Sequence, residues 1–414
     1  MGKKWRGFIC LVMLLLAVSG CFGPANHDHK ENKVITGLEK VLMNPEDFQG
    51  KRVGLITNPT GMTSDYVHAL DAMLARGIQV TKVFGPEHGV RGSEQAGDKP
   101  RTAVDPKTGI LFENLYGKKP EEMIPLFSGV DVLLFDIQDI GTRFYTYIYT
   151  MADAMKAAGM SKIPFYVLDR PNPLGGKRVE GPVLKKEFQS PVGKLFIPLR
   201  HGMTVGELAL WIKDRQGLKT ELNVVKMENW TRGMMYEETG LPWVMPSPNI
   251  PSPLTALVYP GLGLIEGTNL SEGRGTTRPF ELIGAPYVRG WELARELNRE
   301  NLPGVVFREA YFIPSFSKHQ GKEAGGVQLH ITDSKQFEPV LTAVTILEKT
   351  KKLYPEQFAW IRSGENYWID LLAGTDQLRL LLDQGKTAKE IAGQWMEDIN
   401  QFKGIRKKYL LYSS

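Results

Sequence analysis

Polar residues that could carry out chemistry follow each of four short apolar runs in the first half of the sequence. The four polar segments are residues 57–61, 85–92, 136–147 and 169–173. They contain carboxylates, amides, arginines and tyrosines. Because ligands of an open parallel sheet bind outside the carboxyl ends of its strands, we expect the four segments to converge on one crevice. One such segment alone would be unremarkable, since Asn, Asp, Gly and Pro are ordinary loop residues.

A fifth polar segment, residues 266–281, lies within a proline- and glycine-rich stretch at 241–286. Long ordered loops of this kind are usually functional. We therefore expect the stretch to close the crevice from the side of a second domain.

These residue types suit glycoside hydrolysis, which needs a carboxylic acid to protonate the leaving oxygen and a second group to stabilise the transition state or activate water. Glu87 is the candidate acid, because it follows a strand in a Gly/Pro-shaped turn; the alternative is a loop carboxylate paired with Arg91. The candidates for the second role are Asp136, Asp139, Glu266, Glu272 and Tyr147. For Asp136 the alternative is a cap on the strand end.

Arginines near the expected crevice could bind an anionic group of a substrate through two hydrogen bonds at once. The candidates are Arg143, Arg170 and Arg274. Structural ion pairing is the alternative for each of them.

Other chemistries find no matching motif. The turn after the first strand lacks the Gly-x-Gly-x-x-Gly of dinucleotide-binding folds, and the sequence holds no Walker A, His-Glu-x-x-His or Gly-x-Ser-x-Gly motif. The sequence therefore predicts neither a metal nor a cofactor. Without residues 1–20, which are expected to be removed on export, the net charge is +2, and with no basic stripe this charge gives no case for nucleic-acid binding.

Alternating apolar runs and helical patterns predict an α/β fold. The predicted strands are 52–57, 79–84, 131–136, 164–168 and 221–227, separated by helices that include 65–75, 146–158 and 204–216. Continuous apolar strands favour a mostly parallel sheet covered on both faces. A second, smaller α/β domain is predicted from a helix at 291–299, strands at 305–312 and 327–332, and helices at 336–351 and 387–402.

The N-terminus has the pattern of an export signal. Residues 1–20 carry Lys3, Lys4 and Arg6 before an apolar run, and the run ends in Val-Ser-Gly before Cys21. This ending resembles a lipobox, in which Cys21 becomes the lipid-modified N-terminus; an ordinary signal peptide is the alternative. The rest of residues 21–34 is interpreted as a polar tether. Removal of the signal leaves 48 basic and 46 acidic residues, a net charge of +2, and Cys21 as the one cysteine.

The motifs at 85–92, 136–147, 169–173 and 266–269 closely resemble those of the NamZ (YbbC) family. The resemblance runs from about residue 35 to the C-terminus. It implies an exo-acting β-N-acetylmuramidase, a hydrolase that releases N-acetylmuramic acid from the non-reducing end of peptidoglycan fragments. It also implies a Rossmann-like catalytic domain at 35–262, an auxiliary domain at 263–414 and a cleft between them. Carried over by motif, Glu87 is the catalytic acid and Tyr147 a second catalytic group, with Asp136 as a further candidate.

The substrate would then contact the side chains of the converging segments. Those expected to bind it are Asn58, His88, Arg91, Asp139, Arg143, Asp169, Arg170, Glu266, Asn269, Glu272 and Arg274. The expected partners are muropeptides and MurNAc-GlcNAc disaccharides. The protein is expected to be exported, and either lipid-anchored on the outer face of the cytoplasmic membrane or secreted. Two alternatives stay open: a lipid-anchored muropeptide-binding protein without catalysis, and an amidase or peptidase that cuts the stem peptide.

Overall fold

The structure, a computed structural model, describes residues 33–90 and 102–414. The signal segment, most of the tether, Cys21 and Arg91 lie outside the described residues. Residues Val34–Ser414 form one compact unit. Its strands are β1 Val53–Thr57, β2 Val80–Gly85, β3 Ala103–Val104, β4 Leu111–Asn114, β5 Val132–Asp136, β6 Phe165–Leu168, β7 Leu222–Val225, β8 Leu282–Ala285, β9 Val305–Phe312, β10 Ala324–Ile331, β11 Arg362–Ser363 and β12 Asn366–Tyr367.

The helices cover the sheets and join their strands. They are α1 Gly37–Met43, α2 Ala69–Ala75, α3 Pro120–Met123, α4 Tyr147–Ser161, α5 Val205–Arg215, α6 Pro253–Leu262, α7 Gly290–Asn298, α8 Pro339–Leu353, α9 Trp368–Ala373, α10 Gln377–Asp383, α11 Ala388–Gln394 and α12 Met396–Arg406. Within the described residues, no helix combines the length and the apolar character needed to span a membrane.

The main sheet has seven strands in the order β3-β4-β2-β1-β5-β6-β7. All neighbouring strands are parallel except β3 and β4. The six parallel strands follow the Rossmann order 3-2-1-4-5-6, so the predicted α/β class with a mostly parallel, Rossmann-like sheet is confirmed. In this order the chain reverses direction across the sheet between β1 and β5, the position where such sheets bind ligands. Thr57 and Asp136 pair at that point.

Both faces of this sheet are buried, as continuous apolar strands require. In β1, Val53 and Leu55 pack towards α1 and α2, whereas Ile56 packs on the other face towards α4 and α5. This alternation follows from the two-residue repeat of a strand. The sheet is therefore held rigidly between two helical layers, and its strand ends have fixed positions.

Helix boundaries follow capping chemistry at several ends. Helix α5 begins with a capping box: the Thr204 hydroxyl accepts from the Glu207 backbone N–H, and the Glu207 carboxylate accepts from the Thr204 backbone N–H. The predicted single helix at 387–402 is wrong, because the chain forms α11 and α12 with a break at Trp395.

The proline-rich stretch was expected to be a long loop, but it contains α6. Ser252 caps this helix by accepting from the Thr255 backbone N–H, and Pro253 occupies its first position, where a missing N–H has no cost. The helix packs against α8. A turn of 3₁₀-helix, Gly263–Gly267, continues from it into the polar segment at 266–281.

A second sheet lies in the C-terminal part of the chain, with the antiparallel order β8-β10-β9. Helices α7 and α8 pack together, and α7 also lies against β9 and β10. This arrangement gives the C-terminal region its own small α/β assembly. The domain boundary at residues 262 and 263 stays a prediction.

Candidate active site

The four polar segments of the first half lie side by side. They follow β1, β2, β5 and β6, which are consecutive neighbours in the sheet. Hydrogen bonds join them: the Thr57 hydroxyl donates to the Asp136 carbonyl at 2.9 Å, and the Gln138 backbone N–H donates to the Thr60 hydroxyl at 2.9 Å. The carboxyl edge of the sheet therefore carries one continuous polar surface.

Glu87 lies at the end of this row, in the turn that follows β2. The Thr146 hydroxyl donates to its Oε2 at 2.6 Å. Thr146 immediately precedes α4, so the Glu87 carboxylate lies at the N-terminal end of a 15-residue helix, where the helix dipole favours negative charge. His88 adopts a positive φ of 69°, a conformation that a histidine tolerates better than most residues and that shapes this turn.

Tyr116, which follows β4, also bonds to Glu87. Burial, together with the Glu87 charge and the hydrogen bond between the two side chains, raises the pKa of the Tyr116 phenol to about 12. Tyr116 therefore remains a neutral donor at physiological pH. Two hydroxyl groups from different segments thus orient the same carboxylate.

Tyr147 is buried beside Glu87 at the start of α4. Its hydroxyl donates to the carbonyl of Pro246, in the proline-rich stretch. Burial raises the pKa of Tyr147, and hydrogen bonds with Tyr145 and Asn58 only partly offset the effect. The phenol is therefore uncharged, and it connects the sheet edge with the segment that precedes α6.

A row of aromatic rings leads from Tyr147 to the fifth polar segment. Tyr145 lies edge-on to Tyr147 with ring centroids 4.8 Å apart and to Tyr259 at 6.0 Å. Tyr259 in turn contacts Phe280 at 4.7 Å, and the Arg274 guanidinium lies 5.0 Å from the Phe280 ring centroid. The proline-rich stretch therefore packs against the start of α4 through these rings, whereas its closure of a crevice stays a prediction.

The fifth segment forms a buried cluster of alternating charges. Arg274 contacts Glu266 at 3.1 Å and Glu272 at 3.3 Å, and Lys318 contacts Glu272 at 2.9 Å. Burial raises the pKa of Glu266 despite its arginine partner. Lys318 also donates to the carbonyls of residues 265 and 270, so the loop that carries it is fixed to this cluster.

Asp136 and Arg170 form a buried ion pair at the reversal point of the sheet. The guanidinium donates Nε to Oδ1 at 2.5 Å and Nη2 to Oδ2 at 2.9 Å. A third bond goes to the carbonyl of Met62 after β1. Because Arg170 occupies both carboxylate oxygens, the geometry favours a structural role for Asp136. The role is that of an ion-pair partner, which was the alternative for Arg170, and not the strand-end cap that was the alternative for Asp136.

Asp139 and Asn58 line the same edge. Oδ2 of Asp139 accepts from the Gly141 backbone N–H at 2.7 Å and lies 3.5 Å from Nε2 of His201. The Asn58 side-chain oxygen accepts from the backbone N–H and the hydroxyl of Thr60. Both side chains are buried, and their hydrogen bonds hold the backbone of the polar edge in place.

Three residues expected to bind substrate instead bind their own fold. Arg143 is fully buried and donates to the carbonyls of Pro182, Ile197 and Leu372. Asp169 accepts from four donors, which are Thr204, Gly206, Tyr412 and the adjacent Arg170 backbone. Its pKa rises to about 7 through burial. Asn269 bonds to Tyr287, Gln357 and Ala359. These contacts favour structural roles for all three.

The structure therefore brings together Glu87, Tyr147, Asn58 and, through Tyr259, the Glu266–Arg274 cluster. Sequence reasoning missed Tyr116, Thr146 and Lys318. Tyr116 carries the same signal as the others, a polar side chain just after a strand, but β4 was not predicted. Thr146 lies inside the recognised 136–147 motif. No sequence signal marks Lys318, because its place depends on how the loop after β9 folds back.

Among the described residues, no group of three or more His, Cys, Asp or Glu side chains could hold a metal ion. The functional groups at the sheet edge are instead carboxylates, hydroxyls, amides and phenols. The fold and this site define the class of protein: a Rossmann-like α/β protein with an acid–hydroxyl site at the carboxyl ends of its parallel strands.

The chain belongs to the NamZ family of exo-β-N-acetylmuramidases. The N-terminal family model matches residues 53–254 and the C-terminal family model matches residues 257–412. The chain is 48% identical over 400 residues to a protein of Bacillus subtilis strain 168 that is named peptidoglycan β-N-acetylmuramidase NamZ, covering 96% of each chain.

Two solved structures resemble this one, and both are DUF1343 family proteins from Bacteroides fragilis. The first is 37% identical with a TM-score of 0.85, and the second is 33% identical with a TM-score of 0.74. Each comparison covers 92% of this chain and 99% of the solved chain. The likeness therefore extends over both sheets.

Proposed function

We propose that this protein is an exo-acting β-N-acetylmuramidase that releases N-acetylmuramic acid from the non-reducing end of peptidoglycan fragments during cell-wall turnover. The observation that carries the proposal is the match of nearly the whole chain to a peptidoglycan β-N-acetylmuramidase. The protein is accordingly a glycoside hydrolase, and its site offers the acid group that such an enzyme needs.

Glu87 is proposed as the general acid. Its carboxyl group would donate a proton to the glycosidic oxygen as the bond to the anomeric carbon breaks. The Thr146 and Tyr116 hydroxyls hold the carboxyl group in one orientation. Once the proton has left, the same two donors and the N-terminus of α4 stabilise the carboxylate.

The group that attacks the anomeric carbon is proposed to be the substrate's own 2-acetamido oxygen, or water. Both oxygens of Asp136 are bound by Arg170, and burial keeps the Tyr147 phenol protonated. Neither side chain is therefore arranged as an anionic nucleophile. Tyr147 would act as a neutral hydrogen-bonding group that fixes the wall of the site.

Arg274 is proposed to bind the lactyl carboxylate of N-acetylmuramic acid, because its side chain keeps 21% exposure while the guanidinium is held by two glutamates. Arg274→Gln should weaken inhibition by free N-acetylmuramic acid about 10- to 100-fold, the scale of a charged hydrogen bond, and leave inhibition by N-acetylglucosamine nearly unchanged. Inhibition constants for both sugars provide the measurement.

Arg278→Gln is the matched control, since Arg278 lies in the same segment but is 54% exposed and pairs with Glu281. An unchanged ratio of the two inhibition constants in Arg274→Gln would remove Arg274 from substrate recognition.

The proposed function is tested by incubating the purified protein with muropeptides and analysing the products by mass spectrometry. Free N-acetylmuramic acid supports the proposal. A cut stem peptide would identify an amidase or peptidase instead, and unchanged ligand that co-purifies with the protein would identify a binding protein.

We also propose that the protein is exported and lipid-anchored through Cys21, on the basis of the positively charged, apolar N-terminus and the Val-Ser-Gly-Cys ending. Cells fed a fatty-acid probe should label the wild-type protein, and Cys21→Ala should abolish the label. Cys10→Ala is the control that should keep it, because Cys10 lies before the expected cleavage point. An unlabelled wild-type protein would show that the anchor does not exist.

A further inference from the structure

A second concave surface lies outside the candidate active site and shares no residue with it. It is a groove of about 530 Å³ formed by the 183–196 segment, the C-terminal end of α5 and the helix α12. We call it the α5–α12 groove. Its lining combines apolar, amide and basic side chains, and the Glu87 chemistry uses none of them.

The charge of the groove is mainly positive. Lys185, Lys194 and Arg215 line it together with one carboxylate, Asp398. Lys194 already pairs with Asp153 at 2.7 Å, so Lys185 and Arg215 supply the charge that a ligand would meet. Cations beside an apolar floor favour a ligand that carries carboxylates.

Two aromatic residues of the groove point to an organic ligand. Phe196 is 45% exposed and offers its ring to the groove as apolar contact surface. Trp211 is almost fully buried, and it contributes apolar surface to the lining of the groove.

Three exposed glutamines complete the lining: Gln189, Gln216 and Gln401. A glutamine side chain both donates and accepts hydrogen bonds. It can therefore pair with peptide groups and with acetamido groups, which have the same donor and acceptor. Charge, amide and apolar surface together match a short acidic peptide linked to a sugar.

The wall of the groove is held in place before any ligand arrives. Arg143 donates to the carbonyls of Pro182 and Ile197, at the two ends of the 183–196 segment. The Lys185 backbone N–H donates to the Gly374 carbonyl at 2.8 Å. A wall that is already ordered avoids part of the entropy loss that binding otherwise entails.

We propose that the α5–α12 groove is an accessory binding site for the carboxylate-bearing peptide stem of peptidoglycan. The inference rests on the proposed function, because it takes the ligand from the polymer on which that function acts. A second contact with the same polymer raises the effective concentration of chain ends at the active site. The groove would thus retain the enzyme on the cell wall between cleavage events.

The test measures binding with catalysis removed. In a Glu87→Gln background, the double substitution Lys185→Glu and Arg215→Glu should weaken co-sedimentation with purified peptidoglycan, stripped of attached phosphate polymers, at least about tenfold. Phe196→Ala in the same background should weaken it as well. The matched control is Lys352→Glu with Arg308→Glu, which makes the same charge change on exposed positions of α8 and β9 and should bind like the background protein.

Three results would overturn the inference. The first is that the groove variant binds as tightly as the control variant. The second is that the control variant loses binding equally. The third is that the groove variant still binds peptidoglycan but no longer binds purified teichoic acid. Circular dichroism of each variant checks that the fold is retained. A failure of the proposed function would be seen in a different measurement: the wild-type protein would release no N-acetylmuramic acid from muropeptides, although the groove substitutions still weakened binding to peptidoglycan.

Discussion

Glu87→Gln should lower kcat for release of N-acetylmuramic acid from a MurNAc-GlcNAc disaccharide by about 100-fold or more, the usual scale for the loss of a general acid. Glutamine keeps the size of the side chain, and its carbonyl oxygen can still accept from the Thr146 hydroxyl, which lies 2.6 Å from the carboxylate in the wild type. What the substitution removes is the proton that the leaving oxygen needs. The expected result is therefore a fall in kcat with little change in substrate binding.

Glu121→Gln is the matched control, because Glu121 is an exposed carboxylate on α3. The kcat of this variant should stay within a factor of about two of the wild-type value, the range expected for a surface change. Near-wild-type turnover by Glu87→Gln would remove Glu87 from the mechanism. The family membership would stand in that case, and the acid would have to be sought elsewhere on the sheet edge.

Asp136→Ala should lower the free energy of unfolding by about 3–5 kcal/mol, because it leaves the Arg170 guanidinium buried without its partner. Both side chains of the pair are almost fully buried, with exposures of 0% and 4%. Urea denaturation followed by circular dichroism measures the change. The pair also fixes the segments after β1, β5 and β6 to one another, so activity should fall with stability.

The residue immediately before β5 provides the control for this substitution. Asp131 immediately precedes β5 and binds Arg52 through both oxygens, but these side chains are 40% and 51% exposed. Asp131→Ala should therefore lower the free energy of unfolding far less than Asp136→Ala does, because an exposed ion pair contributes little to stability. Equal losses in the two variants would show that burial does not distinguish the pairs. A large loss of activity in Asp136→Ala without loss of stability would return Asp136 to the catalytic group.

The central strands β1, β5 and β6 could be predicted because each is a mostly buried, continuous apolar run, whereas the edge strands β3 and β4 were not predicted because they are short and partly exposed. Residues 131–136 were expected to form a strand, and Val132–Asp136 is one. The helix α6 could not be predicted in the same way, because its prolines resemble those of a loop and its stability comes from packing against α8. Local helix and strand propensities predict the secondary structure where burial is uniform. Elsewhere, tertiary contacts determine whether a segment forms a helix, a strand or a loop.

For the site, the sequence identified which segments matter but not which way each side chain points. Glu87 and Thr146 belong to motifs recognised in advance, and their contact follows because β1 alone separates β2 from β5 in the sheet. Arg143 belongs to an equally clear motif, yet one of its partners is the carbonyl of Leu372, 229 residues away. A partner so distant in sequence leaves no pattern that could have revealed the structural role.

The hydrogen bond between Tyr412 and Asp169 limits how the two halves of the chain can be exchanged by recombination. The last residues return to the first sheet: the Tyr412 hydroxyl donates to Asp169 at 2.5 Å, and the Leu411 backbone N–H donates to Glu207 at 2.8 Å. Two buried carboxylates, one after β6 and one in α5, thus depend on donors that lie 243 and 204 positions later in the sequence. The N-terminal segment is therefore not an interchangeable module, and recombination that exchanged the C-terminal segment would have to preserve these few terminal residues.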